Sequence, residues 1–145
     1  MNDRFKFRVW NGSEMHHNDF VVTATGYVGR ITEEFLGQCV FRQDDLTADN
    51  ECILMQCTGL KDRNGTLIYE GDIVKSYYFN DDTEQMDYDL LTVIFDQEKV
   101  AFGLKGRCFS DFVYTDYLAE EYEVAGNIYE NKELLDGNRD WKRIF

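Results

Sequence analysis

The stretch from Cys52 to Phe79 constrains the fold more than any other part of the chain. Cys52 to Cys57 is a mainly apolar run of strand length, and Leu67 to Tyr69 is a second, shorter run. Between them lies Lys61-Asp62-Arg63-Asn64-Gly65, a turn in which Asn64-Gly65 supplies the positive φ that a tight reversal requires. Glu70-Gly71-Asp72 then interrupts the alternation. Glycine inside a strand pattern marks a bulge or a sharp bend. Ile73 to Phe79 leaves that bend as a long strand.

The same period of two governs the rest of the sequence. Phe5, Phe7 and Val9 alternate with Arg4, Lys6, Arg8 and Trp10, which predicts a half-buried strand with a basic outer face, ended by Asn11-Gly12. Phe20 to Thr25 is β-rich, and Tyr27, Val28 and Ile31 start a return strand. Thr32 to Leu36 reads as a helical turn closed by Gly37, Cys39 to Phe41 as a short strand, and Gln43 to Glu51 as a loop. Asp81 to Asp89 reads as an acidic loop. Leu90 to Phe95 and Val100 to Lys105 form a hairpin around Asp96-Gln97-Glu98-Lys99. Cys108 to Tyr114 and Tyr122 to Tyr129 are further strands. Asn131 is placed to cap a short helix with Glu133 near its positive end, stopped by Gly137. The expected class is all-β: a small barrel over 51–130, an N-terminal β extension over 1–50, and a short helix with an apolar tail over 131–145.

At 145 residues the chain is one domain, or one domain with an appendage, and large enough to bury a core without disulfides or metal. No apolar run approaches the length of a membrane span, and Met1-Asn2-Asp3-Arg4-Phe5 lacks a signal peptide's apolar core. The expectation is a cytoplasmic protein without membrane contact. Fifteen Lys and Arg against 28 Asp and Glu give a formal charge of −13. Residues 51–100 are the most acidic part, with 4 bases against 11 acids. Nucleic-acid binding depends on cations that neutralise phosphates, so direct binding is disfavoured. The charge serves solubility, or it is a surface meant for a basic partner.

The chemistry-bearing residues point the same way. Cys39, Cys52, Cys57 and Cys108 contain no C-x-x-C and read as reduced, buried thiols. His16 and His17 are adjacent, point apart in extended chain, and read as surface residues near a turn. No nucleophile elbow, phosphate loop, zincin helix or dinucleotide glycine pattern occurs. Asp62 and Asp72 flank a hairpin and could meet in space, where paired carboxylates do acid–base chemistry or hold a divalent cation, but each has a simpler task in bonding exposed backbone donors. The acidic loop lacks the glycine and terminal glutamate of a calcium-binding loop. No catalytic residue, cofactor or metal is expected, and the chain does not read as an enzyme. Two interaction candidates remain. Arg4, Lys6, Arg8 and Trp10 form a basic stripe with an aromatic end, suited to phosphate or to internal carboxylates. Trp141, Ile144 and Phe145 form an apolar tail that docks on its own domain or on a second copy.

Three blocks carry a family resemblance: Arg4 to Trp10 (RFKFRVW), Leu54 to Val74 (LMQCTGLKDRNGTLIYEGDIV) and Val124 to Leu135 (VAGNIYENKELL). In this order they resemble the YopX family of bacteriophage and prophage proteins. Two positions depart from the pattern: Lys132 stands where a proline is frequent, and Cys57 where an aromatic residue is common. The resemblance implies an SH3-like barrel for the centre and C-terminal half, and a phage or prophage origin in a bacterial cytoplasm. It implies no activity, the family's function being unresolved, and transfers no catalytic set. The function expected is a non-catalytic module that binds a protein partner or itself as a homo-oligomer. The alternative is an acidic nucleic-acid mimic that blocks a host DNA-binding protein.

Overall fold

Twelve strands, a 3-10 turn at Asp3–Phe5 and one α-helix make up the regular structure of the computed structural model, which describes residues 2–22, 28–35, 38–42, 52–106, 113–114 and 121–136. The strands are β1 (Phe7–Trp10), β2 (Met15–His16), β3 (Phe20–Val22), β4 (Val28–Phe35), β5 (Gln38–Arg42), β6 (Ile53–Lys61), β7 (Leu67–Tyr69), β8 (Asp72–Asn80), β9 (Gln85–Asp96), β10 (Ala101–Gly106), β11 (Val113–Tyr114) and β12 (Tyr122–Asn127). The helix α1 is Lys132–Asp136. The expected all-β class is what the structure shows, with one short α-helix among the described residues. The chain divides into two compact units, one of residues 6–56 and one of residues 1–5 with 57–145.

In the unit of residues 6–56, β1 pairs antiparallel with β2 and with the start of β6, Val9 lying opposite both His16 and Leu54. The Asn11-Gly12 turn is where the sequence places it. Asn11 Oδ1 accepts from the Ser13 and Glu14 amides at 2.9 and 2.8 Å. β3, β4 and β5 form an antiparallel meander. Val9 and Val28 are buried there, packed by Phe20, Val22, Cys52 and Leu54. Three expectations are corrected here. Asp3–Phe5 is a 3-10 turn and not strand, so β1 begins only at Phe7. Thr32 to Phe35 continue β4, because ladder pairing of Glu33, Glu34 and Phe35 with Val40, Cys39 and Gln38 overrides a weak helical preference. His16 is buried, while its neighbour His17 is exposed.

In the second unit the order is β11-β10-β9-β8-β12, antiparallel throughout, and the C-terminal half of β6 pairs with β7. Ile68, Val74, Val93, Leu104 and Tyr122 form the core, with Leu60, Leu91 and Val124 against it. Each large side chain so buried contributes roughly 1.5–3 kcal/mol. The bend after β7 is the corner that the sequence marks at Gly71. Its φ is +84°, its amide donates to the Val93 carbonyl at 2.8 Å, and its carbonyl accepts from the Ile128 amide at 2.9 Å. One residue thus joins the β7–β8 corner to β9 and to the turn after β12, in a conformation that glycine alone adopts without strain.

Asn131 precedes α1 as expected, but its side chain does not cap the helix. Its Oδ1 accepts from the Asn127 amide at 3.1 Å and fills the space a Cβ on Gly126 would need. The segment 85–89, expected as loop, is strand: β9 begins at Gln85 and the turn is confined to 81–84. Val100 belongs to the following turn, not to β10.

Candidate functional site

The paired carboxylates singled out by the sequence are absorbed by the backbone. Asp62 Oδ1 accepts from the Asn64 and Thr66 amides at 2.8 and 2.9 Å, and its Oδ2 accepts from the Val124 amide at 2.9 Å. Asp72 Oδ2 accepts from the Tyr69 amide at 2.8 Å. Both are buried. A carboxylate surrounded by backbone donors fixes a turn and has little left with which to hold a cation. Among the described residues no group of three or more His, Cys, Asp and Glu is placed to hold a metal ion. Cys57 is buried and Cys52 half-buried; both are outside any disulfide, and burial pushes the Cys52 thiol up.

His16 has the look of a general base, with a carboxylate behind it. Nδ1 lies 2.8 Å from Asp19 Oδ2, and Nε2 lies 2.9 Å from Asn11 Nδ2. The Asn11 side chain cannot turn over, because its Oδ1 already accepts from Ser13 and Glu14. Its Nδ2 therefore donates to Nε2, and the ring proton sits on Nδ1 and is donated to Asp19. The nitrogen that would accept a substrate's proton is occupied. A base needs that lone pair within reach of the substrate; here it is taken by Asn11, and the constellation ties His16 of the β1–β2 hairpin to Asn11 and Asp19.

The remaining site is an extension of the β8–β9 pair. Among the described residues β8 pairs with β12 as far as Ser76, and β9 with β10 from Leu91. From Tyr77 to Leu90 the two strands continue as a ribbon, in register from Tyr77 opposite Tyr88 to Asn80 opposite Gln85. Directly opposite residues share a face and alternate residues stay on it. One face therefore carries Tyr77 and Tyr88, then Phe79 and Met86; the other carries Tyr78 and Asp87, with Ser76 and Asp89 behind.

The first face is held firmly at its base and is open at its end. Tyr77 and Tyr88 pack edge to face at 5.9 Å. Arg63 lies 4.8 Å over the Tyr77 ring and Lys75 5.0 Å over the Tyr88 ring. The Tyr77 hydroxyl donates to Glu123 Oε2 at 2.8 Å, which holds that phenol above its ordinary range, and Lys75 Nζ lies 3.8 Å from Glu123 Oε1. Beyond this network Phe79 is 56% exposed, Met86 64% and Tyr88 44%, while Tyr78 on the reverse face is 41% exposed. On that reverse face burial, then the charge of Asp87, pushes the Asp89 carboxyl up; burial, then Asp89 and Asp87, pushes the Tyr78 phenol up. A contiguous aromatic and thioether surface on a braced β-arm suits a protein contact.

The basic stripe expected from the sequence is not brought together in this way. Arg4 lies in the 3-10 turn with its guanidinium 5.2 Å over Phe5, and Lys6 is exposed ahead of β1. Arg8 is on β1 but only 6% exposed, and Trp10 is half-buried. The expected basic strand face is thereby corrected: one of its cations is turned inward, and two precede the strand. Trp141, Ile144 and Phe145 lie outside the described residues. The ribbon went unread because its polar half, Asp81 to Asp89, passes for a loop. The signal was there: Tyr77, Phe79, Met86 and Tyr88 keep the period of two on both sides of the turn.

A family model described as YopX protein matches residues 6–136. The chain belongs to the YopX family. Protein EF1440 from Enterococcus faecalis is 26% identical in sequence and superimposes with a TM-score of 0.60, over 90% of this chain and 96% of that one. Protein yopX from Bacillus subtilis is 24% identical with a TM-score of 0.60, over 93% and 97%, a likeness of fold alone. No curated protein matches the chain. The three YopX-like blocks fall on the 3-10 turn and β1, on β6 to the start of β8, and on β12 to α1. They hold Asp62, Gly71, Asp72, Gly126 and Asn131, the residues that tie the turns together. The ribbon lies outside these three blocks but within the residues that the family model matches. Among the described residues no helix is long and apolar enough to cross a membrane.

Proposed function

We propose that this YopX-family protein is a non-catalytic protein-interaction module, of phage or prophage origin and acting in a bacterial cytoplasm, whose contact surface is the exposed face of the β8–β9 ribbon. The observation that carries this reading is the cluster of Phe79, Met86 and Tyr88, exposed together on an arm braced by Arg63, Lys75, Tyr77 and Glu123. Interfaces are enriched in aromatic residues and methionine, and draw most of their energy from a few anchors held in place before binding. The engaged carboxylates of Asp62 and Asp72 and the occupied His16 ring support a non-catalytic role, since none offers a group to a substrate.

The test is capture from bacterial lysate by the full chain, beside a Phe79→Ser/Met86→Ser variant. Both positions are exposed, so the variant keeps its Tm. A defined protein retained by the native chain and lost by the variant is the expected result. Capture that ignores the two substitutions, or no capture together with a strict monomer in light scattering, overturns the reading.

A further inference from the structure

We propose that the ribbon takes a cationic amphipathic protein segment, one that sets an apolar anchor between lysines or arginines. This deepens the reading above and rests on it. The apolar half of the argument is the Phe79, Met86 and Tyr88 surface. The charged half is independent of it. From Ser76 to Glu98 the chain has no Lys or Arg, and it has Asp81, Asp82, Glu84, Asp87, Asp89, Asp96 and Glu98. The register then arranges the ribbon's own acids. Asp81, Asp82 and Glu84 surround the tip, and Asp87 and Asp89, two residues apart on one strand, share the face that carries Tyr78.

Among the described residues these charges are not neutralised from within. Among the described residues no Lys or Arg forms an ion pair with Asp87 or Asp89. The two nearest braces, Lys75 and Arg63, are set over the Tyr88 and Tyr77 rings on the opposite face. The Asp89 carboxyl is pushed up first by its burial and then by the charge of Asp87. An extended segment lying along the ribbon's edge sends alternate side chains to opposite faces, so a cation could relieve the repulsion between the pair on one face while its apolar neighbour covers Phe79 or Met86 on the other.

The same charge decides against other occupants. A second copy brings the same acids to the contact, and a nucleic acid or an anionic lipid surface has the wrong sign. Like charges set against one another cost a complex several-fold in affinity and slow its encounter. Opposite charges speed encounter and fix register, with the apolar anchors supplying most of the hold.

The experiment uses the 15N-labelled full chain and three synthetic peptides. All three carry Phe and Leu at alternate positions; the intervening positions are Lys, Ser or Glu. The Lys peptide is expected to shift the amide signals of Tyr78, Phe79, Met86 and Tyr88. It should bind at least about tenfold more tightly than the Ser peptide, and weaken by a similar factor as salt is raised from low to roughly physiological ionic strength. Phe79→Ser/Met86→Ser should abolish binding. Asp87→Asn/Asp89→Asn should remove most of the preference for Lys over Ser without changing the Ser peptide's affinity. Equal binding of the Lys and Ser peptides at the ribbon overturns the cationic class and leaves the interaction reading standing. Binding of the Lys peptide away from the ribbon, or no binding of it, overturns the proposal outright, and the lysate capture then judges the broader reading separately.

Discussion

Gly71 shows how much of this fold rests on single residues with backbone tasks. Its φ of +84° lies in the region that a β-branched residue enters only under strain, and its amide and carbonyl both bond across elements. Gly71→Val should therefore destabilise by roughly 1–3 kcal/mol, by strain and by loosening the bonds to Val93 and Ile128. Urea denaturation measures it, and an unchanged midpoint would refute the assignment. Asp62 acts at the same scale. Three backbone amides converge on its carboxylate, two from its own turn and one from β12, so it joins a local reversal to a strand 62 residues away in sequence. The contrast with His16 is instructive. There too a titratable side chain is buried among partners, and in both cases most of its hydrogen-bonding capacity is spent on them.

The ribbon is the element whose energetics differ most from the rest. Two strands alone are marginal, and this pair is held by cross-strand aromatic contact and by the Glu123 network at its base. It also carries a penalty, since the Asp89 carboxyl is pushed up on folding. A carboxyl whose folded pKa exceeds its unfolded one binds protons more readily in the native state, so its contribution worsens as pH rises through that range. Asp89→Asn should consequently raise Tm at neutral pH. The group is largely solvated, so the gain amounts to a few tenths of a kcal/mol. It should shrink as the pH falls and vanish below the ordinary Asp range of about 3.9. A Tm difference that is negative, or the same at every pH, would contradict this. Legibility followed the same physics. Asn64-Gly65, Gly71 and the strands around them were readable because turn chemistry and apolar alternation coincide there. Thr32 to Phe35 were not, since polar residues in a strand leave no apolar period to read and only ladder pairing makes them extended; at Gln85 to Asp89 the alternation of Met86 and Tyr88 is present but short, and the acids around it have the composition of a loop. Arg8 misled for a related reason: alternation predicts its side of the strand, and other elements decide whether that side is solvated.

At the scale of the whole molecule the net charge of −13 is the governing quantity, and it acts on stability and on binding in opposite directions. Crowding 28 acids against 15 bases makes the native state repel itself, most strongly within residues 51–100. Added salt shortens the reach of that repulsion, with a Debye length of about 10 Å at 0.1 M, while the buried bonds of Asp62 and Asp72 are screened much less. Sodium chloride should therefore raise Tm by roughly 2–5 °C on going from very low salt to about 0.3 M, equivalent to about 1 kcal/mol for a chain of this size. Potassium chloride should match it, since screening does not distinguish the two cations. The same addition should weaken a cationic segment on the ribbon, because there the charges attract. Scanning fluorimetry and titration on one salt series would show stability rising as affinity falls. Should both fall together, the acidic surface is internally compensated and the repulsion argument fails; should both rise, apolar contact alone governs the ribbon, and its carboxylates serve solubility.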